Sequence, residues 1–341
     1  MTPPAKKHPS GEEQSCGGTI HRALLSSSLS EGHFPAEGFY TPGIYAKGQV
    51  LKKRWGLGAL GAVAAGLLGY AVGVEPYAIE TVKFDLFCPR LPKEFEGYTV
   101  LQVSDLHMRQ LGRREKSVER LIRALPPVDL VAVTGDLIHT PAGTEPFLEL
   151  AQSFQSQDGT FVIFGNSEHK NGVRPYAFSR TLAAHGLTPL MNSHVLLTRG
   201  DAQIVLVGVD DPVNNLDRLS DALSGAPEDI FTLALMHSPD SVAEAVLRGV
   251  DVVLSGHTHG GQVKLPWYGA LYTHSVLGRR MSDGYYAKKR LRRAVGIRPG
   301  RTQLYVTRGL GISGLALRFL ARPELTVITL RRGLPQFERT G

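Results

Sequence analysis

VDVVLSGHTH, residues 250–259, is an apolar run that stops at two histidines one residue apart. A short continuous apolar run, with no polar alternation, reads as a strand buried on both faces. The same form recurs to either side. TVLQVSD (99–105), VDLVAVTGD (128–136), TFVIFGN (160–166), QIVLVGVD (203–210) and IFTLALMH (230–237) are apolar and end in polar residues. REKSVERLIRAL (114–125) and PDSVAEAVLRG (239–249) have helical spacing between such runs. Buried strands alternating with helices predict an α/β fold whose sheet is covered on both faces. No internal repeat is present.

The polar residues that close these strands carry the chemistry. They read V-S-D-L-H at 103–107, T-G-D at 134–136, F-G-N at 164–166, L-M-H at 235–237 and S-G-H-T-H at 255–259. Ligands of α/β sheets bind beyond the carboxyl ends of the strands. The reading therefore brings Asp105, His107, Asp136, Asn166, His237, His257 and His259 to one rim. Seven oxygen and nitrogen donors exceed the four of a tetrahedral ion. They suit two divalent ions that share a carboxylate.

The remaining sequence bounds the setting. At 341 residues the chain exceeds the usual domain of about 150, which leaves room for one large domain with an extension. Two cysteines, Cys16 and Cys88, exclude a disulfide scaffold and a thiolate zinc site. The net charge of +7 is concentrated. Residues 279–301 hold nine Lys or Arg against the single acid Asp283, so the rest is near neutral. That distribution points away from a nucleic-acid binder. Residues 1–50 are rich in Ser, Gly, Pro and charge, without periodicity, and read as a disordered extension. WGLGALGAVAAGLLGYAVGV (55–74) carries no charge over 20 residues, about the length that spans a bilayer. Six glycines make it a poor soluble helix, so 51–75 reads as an uncleaved membrane anchor. Lys52, Lys53 and Arg54 precede it, which by the positive-inside bias puts the N-terminus in the cytoplasm and the following domain outside. The organisation expected is an extension (1–50), an anchor (51–75), one domain (76–332) and a tail (333–341). The basic stretch 279–301, with Tyr285 and Tyr286, is expected to meet phosphate or anionic headgroups.

These blocks resemble the calcineurin-like metallophosphoesterases, whose motifs run D-x-H, G-D, G-N-H-D/E, H and G-H-x-H. The resemblance covers about 77–332. G-H-T-H-G-G-Q (256–262), R-G-L-G (308–311) and R-P-E-L-T-V-I-T-L (322–330) look like the membrane-anchored bacterial subgroup that includes the second type of UDP-2,3-diacylglucosamine pyrophosphatase. It implies a four-layer sandwich, with two mixed sheets flanked by helices. It implies two divalent ions (Mn, Fe or Zn, with Mn favoured). Asp105, His107 and His259 would hold the first ion and Asn166, His237 and His257 the second, while Asp136 would bridge them. A water activated between the ions would hydrolyse a phosphodiester or pyrophosphate, on a lipid-linked or envelope substrate such as UDP-2,3-diacylglucosamine. That nucleotide lipid is a cytosolic-face substrate, which conflicts with the orientation read from the flanking charge. Phosphodiesterase or phosphatase action on other envelope substrates is the alternative. One departure stands out. The family's third block has His after Asn, as a leaving-group acid, where this chain has Ser167. His169, two residues on, is the substitute acid considered first, and His139 the second. A non-catalytic metal- or lipid-binding module is the reading in which Ser167 has removed activity.

Overall fold

The computed structural model describes residues 44–340. The disordered reading of 1–50 falls outside the described residues up to 43, and it is corrected over Ile44–Val50, which begin a helix. An α-helix runs from Ile44 to Gly73. Gly58–Tyr77 is the one stretch, among the described residues, long and apolar enough to cross a membrane. Leu60, Val63, Leu67 and Leu68 are exposed, so this is not a core helix.

Two mixed sheets follow. In the first, seven strands lie in the order Gln336–Arg339, Glu80–Cys88, Glu324–Arg332, Tyr98–Val103, Leu130–Thr134, Thr160–Ile163 and Leu187–Pro189. In the second, six lie in the order Gly284–Tyr286, Gln303–Val306, Val252–Ser255, Thr232–Met236, Ala202–Val209 and Ser193–Arg199. The sheets face each other across a core that includes Phe84, Tyr98, Val100, Ile163, Leu206, Leu233, Leu254 and Tyr305. Helices Arg113–Arg123, Thr144–Ala151 and Pro175–Ala184 cover the outer face of the first sheet, and Val242–Leu247 and Lys288–Val295 that of the second. This is the four-layer sandwich that the resemblance implies. The middle strands are apolar throughout because each is buried on both faces.

Two further sequence expectations need correction. The segment read as a tail, 333–341, contains the edge strand Gln336–Arg339, which pairs antiparallel with Glu80–Cys88. The tyrosine pair is not free for a membrane. Tyr286 is wholly buried, and the Tyr285 hydroxyl donates to Gln303 Oε1 at 2.5 Å. Strand alternation turns Tyr286 into the core, and the Arg290 guanidinium caps its ring at 3.8 Å.

Charged clasps join the sheets at the rim where the parallel strands begin. Arg199, from the second sheet, donates to Asp129 Oδ1 at 2.5 Å, beside the first. The Thr99 N–H and hydroxyl donate to the other oxygen, at 2.6 and 2.8 Å. The guanidinium lies 4.6 Å from the centre of the Tyr98 ring. Burial pushes the Asp129 carboxyl up, but the Thr99 N–H and Arg199 outweigh it and hold it below the usual carboxylate range. A carboxyl whose folded pKa lies below its unfolded one stabilises the fold above the unfolded value, and that stabilisation is lost as pH falls through the folded one. Asp129→Asn is therefore expected to lower unfolding free energy at pH 7 by about 1.5–3 kcal/mol, the range for hydrogen bonds to a charged group. The difference from wild type should shrink as pH drops below about 4. Urea unfolding at several pH values checks this, and a pH-independent difference would contradict it.

Candidate metal centre

Five parallel strands, three from the first sheet and two from the second, end at the opposite rim. Three of the five chain segments turn sharply there. Asp105, His107, Asp136, His257 and His259 all have left-handed backbone, with φ of 55°, 47°, 52°, 67° and 51°. Non-glycine residues rarely adopt this region, and such strain concentrates at functional sites. The turns aim five polar side chains into the seam between the sheets. Gly165 makes the approach possible, because a Cβ there would lie 2.6 Å from His237 Nε2.

The donors fall into two groups. Asp105, His107 and His259 offer ligand atoms that all lie within 4.8 Å of one another, and so do Asp136, His237 and His257. All six are buried. Asp136 faces both groups. Its Oδ2 lies 3.4 Å from His107 Nε2, and its Oδ1 lies 3.4 Å from His237 Nε2. His107 Nε2 and His259 Nε2 are 3.1 Å apart, and His257 Nδ1 and His237 Nε2 are 3.2 Å apart. His259 Nε2 is 3.5 Å from Asp105 Oδ1. Paired lone-pair donors at this spacing repel unless a proton or a cation lies between them. Two ligands at about 2.1 Å from one ion are separated by about this much. Asn166 Oδ1 is buried with no hydrogen-bond partner, which native interiors rarely tolerate. The donor set fits two divalent cations.

Surrounding groups fix the ring nitrogens. His237 Nδ1 donates to the Thr134 carbonyl at 2.9 Å, which leaves Nε2 for a ligand. His107 Nδ1 lies 3.1 Å from Ser167 Oγ. The Ser167 N–H donates to Asp136 Oδ1 at 2.8 Å. Ser167 thus orients two donors, and such partners hold tautomer and ring direction in metal sites. Burial holds the His107 and His257 imidazoles down at about 4. Both are therefore neutral, as ligands must be, at pH 7. Burial also opposes charge on His237, but the Asp136 carboxylate outweighs it and pushes this imidazole up to about 10, so a cation at Nε2 would have to displace a proton there. Burial drives Asp105 up to about 6.

Glu168, to which the sequence reading gave no role, is wholly buried below Asp136. It accepts four backbone N–H groups: Leu137 and Ile138 on Oε1 at 2.8 and 3.1 Å, and Asp136 and Gly165 on Oε2 at 3.0 and 2.8 Å. Its signal in the sequence was an acid two residues after a strand-end block. Arg318 was missed as well. It is fully buried, and its guanidinium donates to the carbonyls of Ala321, Arg308 and Gly311, with His259 Nδ1 at 3.3 Å.

The two acid candidates are in neither donor group. His169 Nε2 is held by Asp210 Oδ1 at 2.7 Å, at the end of Ala202–Val209. His139 is half-buried, its ring centre 6.4 Å from that of His107. A cavity of about 360 Å³ opens beside His107 and His139, and Tyr77, Arg109, Arg113 and Arg114 line it. Three arginines against the single acid Glu115 make this cleft cationic.

The family model for calcineurin-like phosphoesterases matches residues 98–261. The uncharacterized metallophosphoesterase YkuE of Bacillus subtilis is 33% identical over 290 residues, spanning 83% of this chain and 96% of its own. The chain belongs to the calcineurin-like metallophosphoesterases. An uncharacterized metallophosphoesterase of Aquifex aeolicus is 25% identical over 78% of this chain and 97% of its own. A transmembrane protein with metallophosphoesterase domain from Danio rerio is 26% identical over 74% of this chain and 57% of its own. The protein is thus a phosphoesterase hydrolase of a family that uses divalent metals.

Proposed function

We propose that Asp105, His107 and His259 hold one divalent ion, that Asn166, His237 and His257 hold another, and that Asp136 serves both. The supporting observation is that the two Asp136 oxygens face opposite donor groups. Such a pair of ions, when bound, lowers the pKa of water and neutralises charge on phosphoryl oxygens. The chain's own residues supply the rest. Glu168 and Ser167 keep Asp136 aimed at both donor groups. Thr134, Ser167 and Arg318 fix three imidazoles. Arg109, Arg113 and Arg114 attract an anionic substrate into the cleft beside His107. His169, held by Asp210, supplies the leaving-group proton where the leaving group is poor. General-acid help is worth about 10²–10⁴-fold.

We read the helix over Gly58–Tyr77 as a membrane anchor and the substrate as a lipid-linked phosphodiester or pyrophosphate. Tyr77, at the end of the apolar stretch, lines the arginine cleft, so the cleft opens where the chain would leave the bilayer. UDP-2,3-diacylglucosamine is the specific candidate, on the cytosolic face of a bacterial inner membrane. The basic residues before the helix favour the opposite orientation, with envelope phosphodiesters as the substrates.

The test uses the full chain in phospholipid vesicles with Mn²⁺. UDP-2,3-diacylglucosamine is compared with bis-p-nitrophenyl phosphate. UMP release from the lipid supports the pyrophosphatase reading. Turnover of the model diester alone keeps the hydrolase and returns the substrate to the envelope. Absence of turnover with ions bound would overturn the catalytic reading. His169→Ala is expected to lower kcat at least tenfold on a poor leaving group and little on p-nitrophenolate. Equal effects on both would remove His169 as the acid.

A further inference from the structure

A second feature lies between the metal centre and the apolar helix. After His259 the chain forms a short hairpin, Lys264–Leu265 paired with Gly269–Ala270. Its tip is Pro266-Trp267-Tyr268. Trp267 is fully exposed, and its φ is 61°. A bulky side chain in left-handed backbone is an outlier where Gly or Asn would fold more easily. Tyr272 and Val276, farther along, are 66% and 89% exposed. Leu315 is 72% exposed, and Leu320 combines exposure with a φ of 55°. Apolar side chains held outward at strained turns do nothing for the core.

The hairpin that carries Trp267 and the segment that carries Leu315 and Leu320 belong to one hydrogen-bonded assembly. Phe319 N–H donates to the Gln262 carbonyl, and Lys264 N–H to the Phe319 carbonyl, each at 2.8 Å. The Gln262 side chain donates to the Ser313 carbonyl at 2.8 Å and accepts the Ser313 N–H at 2.6 Å. The next link reaches the apolar helix. Arg318 N–H donates to the Ala71 carbonyl at 2.9 Å, and Ala321 N–H donates to the buried Glu75 carboxylate. The hairpin, the 313–320 segment and the end of the helix are thus tied in series. Basic groups flank the apolar tip. Arg279 is exposed, with its guanidinium 4.0 Å from the Tyr268 ring centre, and Arg280 is exposed beside it.

We propose that Trp267, Tyr268, Tyr272, Val276, Leu315 and Leu320 form a surface that enters the headgroup region of an anionic phospholipid bilayer. The proposal rests on the membrane-anchor reading above. The occupant follows from three features. The patch is continuous with the one helix, among the described residues, long and apolar enough to cross a membrane. Its aromatic residues are the types that settle at membrane interfaces. Its flanking arginines complement anionic lipid. Docking there would hold the metal centre over the bilayer surface, because the same loop runs from His259 to His274, whose ring centre is 6.0 Å from that of His257.

The experiment uses full-length protein carrying Trp55→Phe, which leaves Trp267 as the one tryptophan of two. It is reconstituted in phosphatidylcholine–phosphatidylglycerol vesicles, with and without lipids brominated near the top of the acyl chains. Trp267 should emit to the blue of its position in water, lose most of its emission to brominated lipid and resist acrylamide. A carbonate wash of the same vesicles separates this proposal from the anchor reading. Protein retained with Trp267 quenched only by acrylamide overturns the surface and leaves the anchor. Protein released but lipid-quenched beforehand supports the surface and overturns the anchor. Protein released and never lipid-quenched overturns both. A Trp267 protected from both quenchers is covered by protein, a second copy or another partner, and also overturns the bilayer proposal.

Discussion

Asp136→Asn is expected to lower phosphodiester turnover by about 10³-fold or more while leaving the chain folded. This residue has an oxygen turned to each donor group, 3.4 Å from His107 Nε2 on one side and 3.4 Å from His237 Nε2 on the other. An amide keeps one oxygen and puts an NH₂ where the second was. That NH₂ cannot ligate, and the charge it removes served both donor groups. The amide is nearly isosteric and can still accept the Ser167 N–H, so packing survives. The transition-state stabilisation that divalent ions give is worth several kcal/mol, and about 1.4 kcal/mol is tenfold in rate. Ion content after dialysis against a weak chelator should fall from two per chain to one or none. A variant that keeps two ions and turns over within tenfold of wild type would falsify the shared-carboxylate assignment.

The blocks that gave this assignment were legible because each is local. A strand buried on both faces is an apolar run, and its end is marked within two or three residues by Asp, Asn or His. Six of the residues that close those blocks stand in two buried groups. Sheet membership was not legible in the strands themselves. Leu130–Thr134 and Thr232–Met236 look alike in sequence, and which sheet each joins depends on partners far along the chain. It was the family resemblance that implied two sheets. The single-residue surprises are also non-local. Ser167 looked like a lost acid, and its place beside His107 Nδ1 and Asp136 Oδ1 appears only once strands ending 30 to 60 residues apart are packed. Tyr286 read as interfacial because exposure cannot be told from a basic neighbourhood, and pairing with Gln303–Val306 turned it inward. Trp267 carried no periodic signal, since a three-residue turn has none.

Glu168 is the position where a single change should do most damage to the fold and the site together. Its two oxygens accept four backbone N–H groups from the two turns that carry Asp136 and Asn166. Burial and the neighbouring Asp136 push its carboxyl up to about 8. The geometry favours the charged form: each oxygen already accepts two N–H groups, so a proton would have to displace one. Cations bound at Asp136 would favour the carboxylate further. Glu168→Leu leaves four buried donors without partners. Each unsatisfied group costs about 1–3 kcal/mol, so the sum reaches about 4 kcal/mol or more, a large part of the stability of an ordinary domain. Glu168→Gln is the sharper probe, because it keeps the shape. One amide oxygen can still accept Leu137 and Ile138, but the NH₂ then faces the N–H groups of Asp136 and Gly165, donor against donor. Its thermal midpoint should fall by several degrees, and retention of both ions should weaken because the Asp136 turn loosens. If Glu168 is instead held protonated, Gln is close to a mimic, and both midpoint and ion content should match wild type at pH 7. Calorimetry and ion content measured on the same sample therefore decide between a neutral and a charged Glu168, and only the charged one makes it the brace of the Asp136 turn.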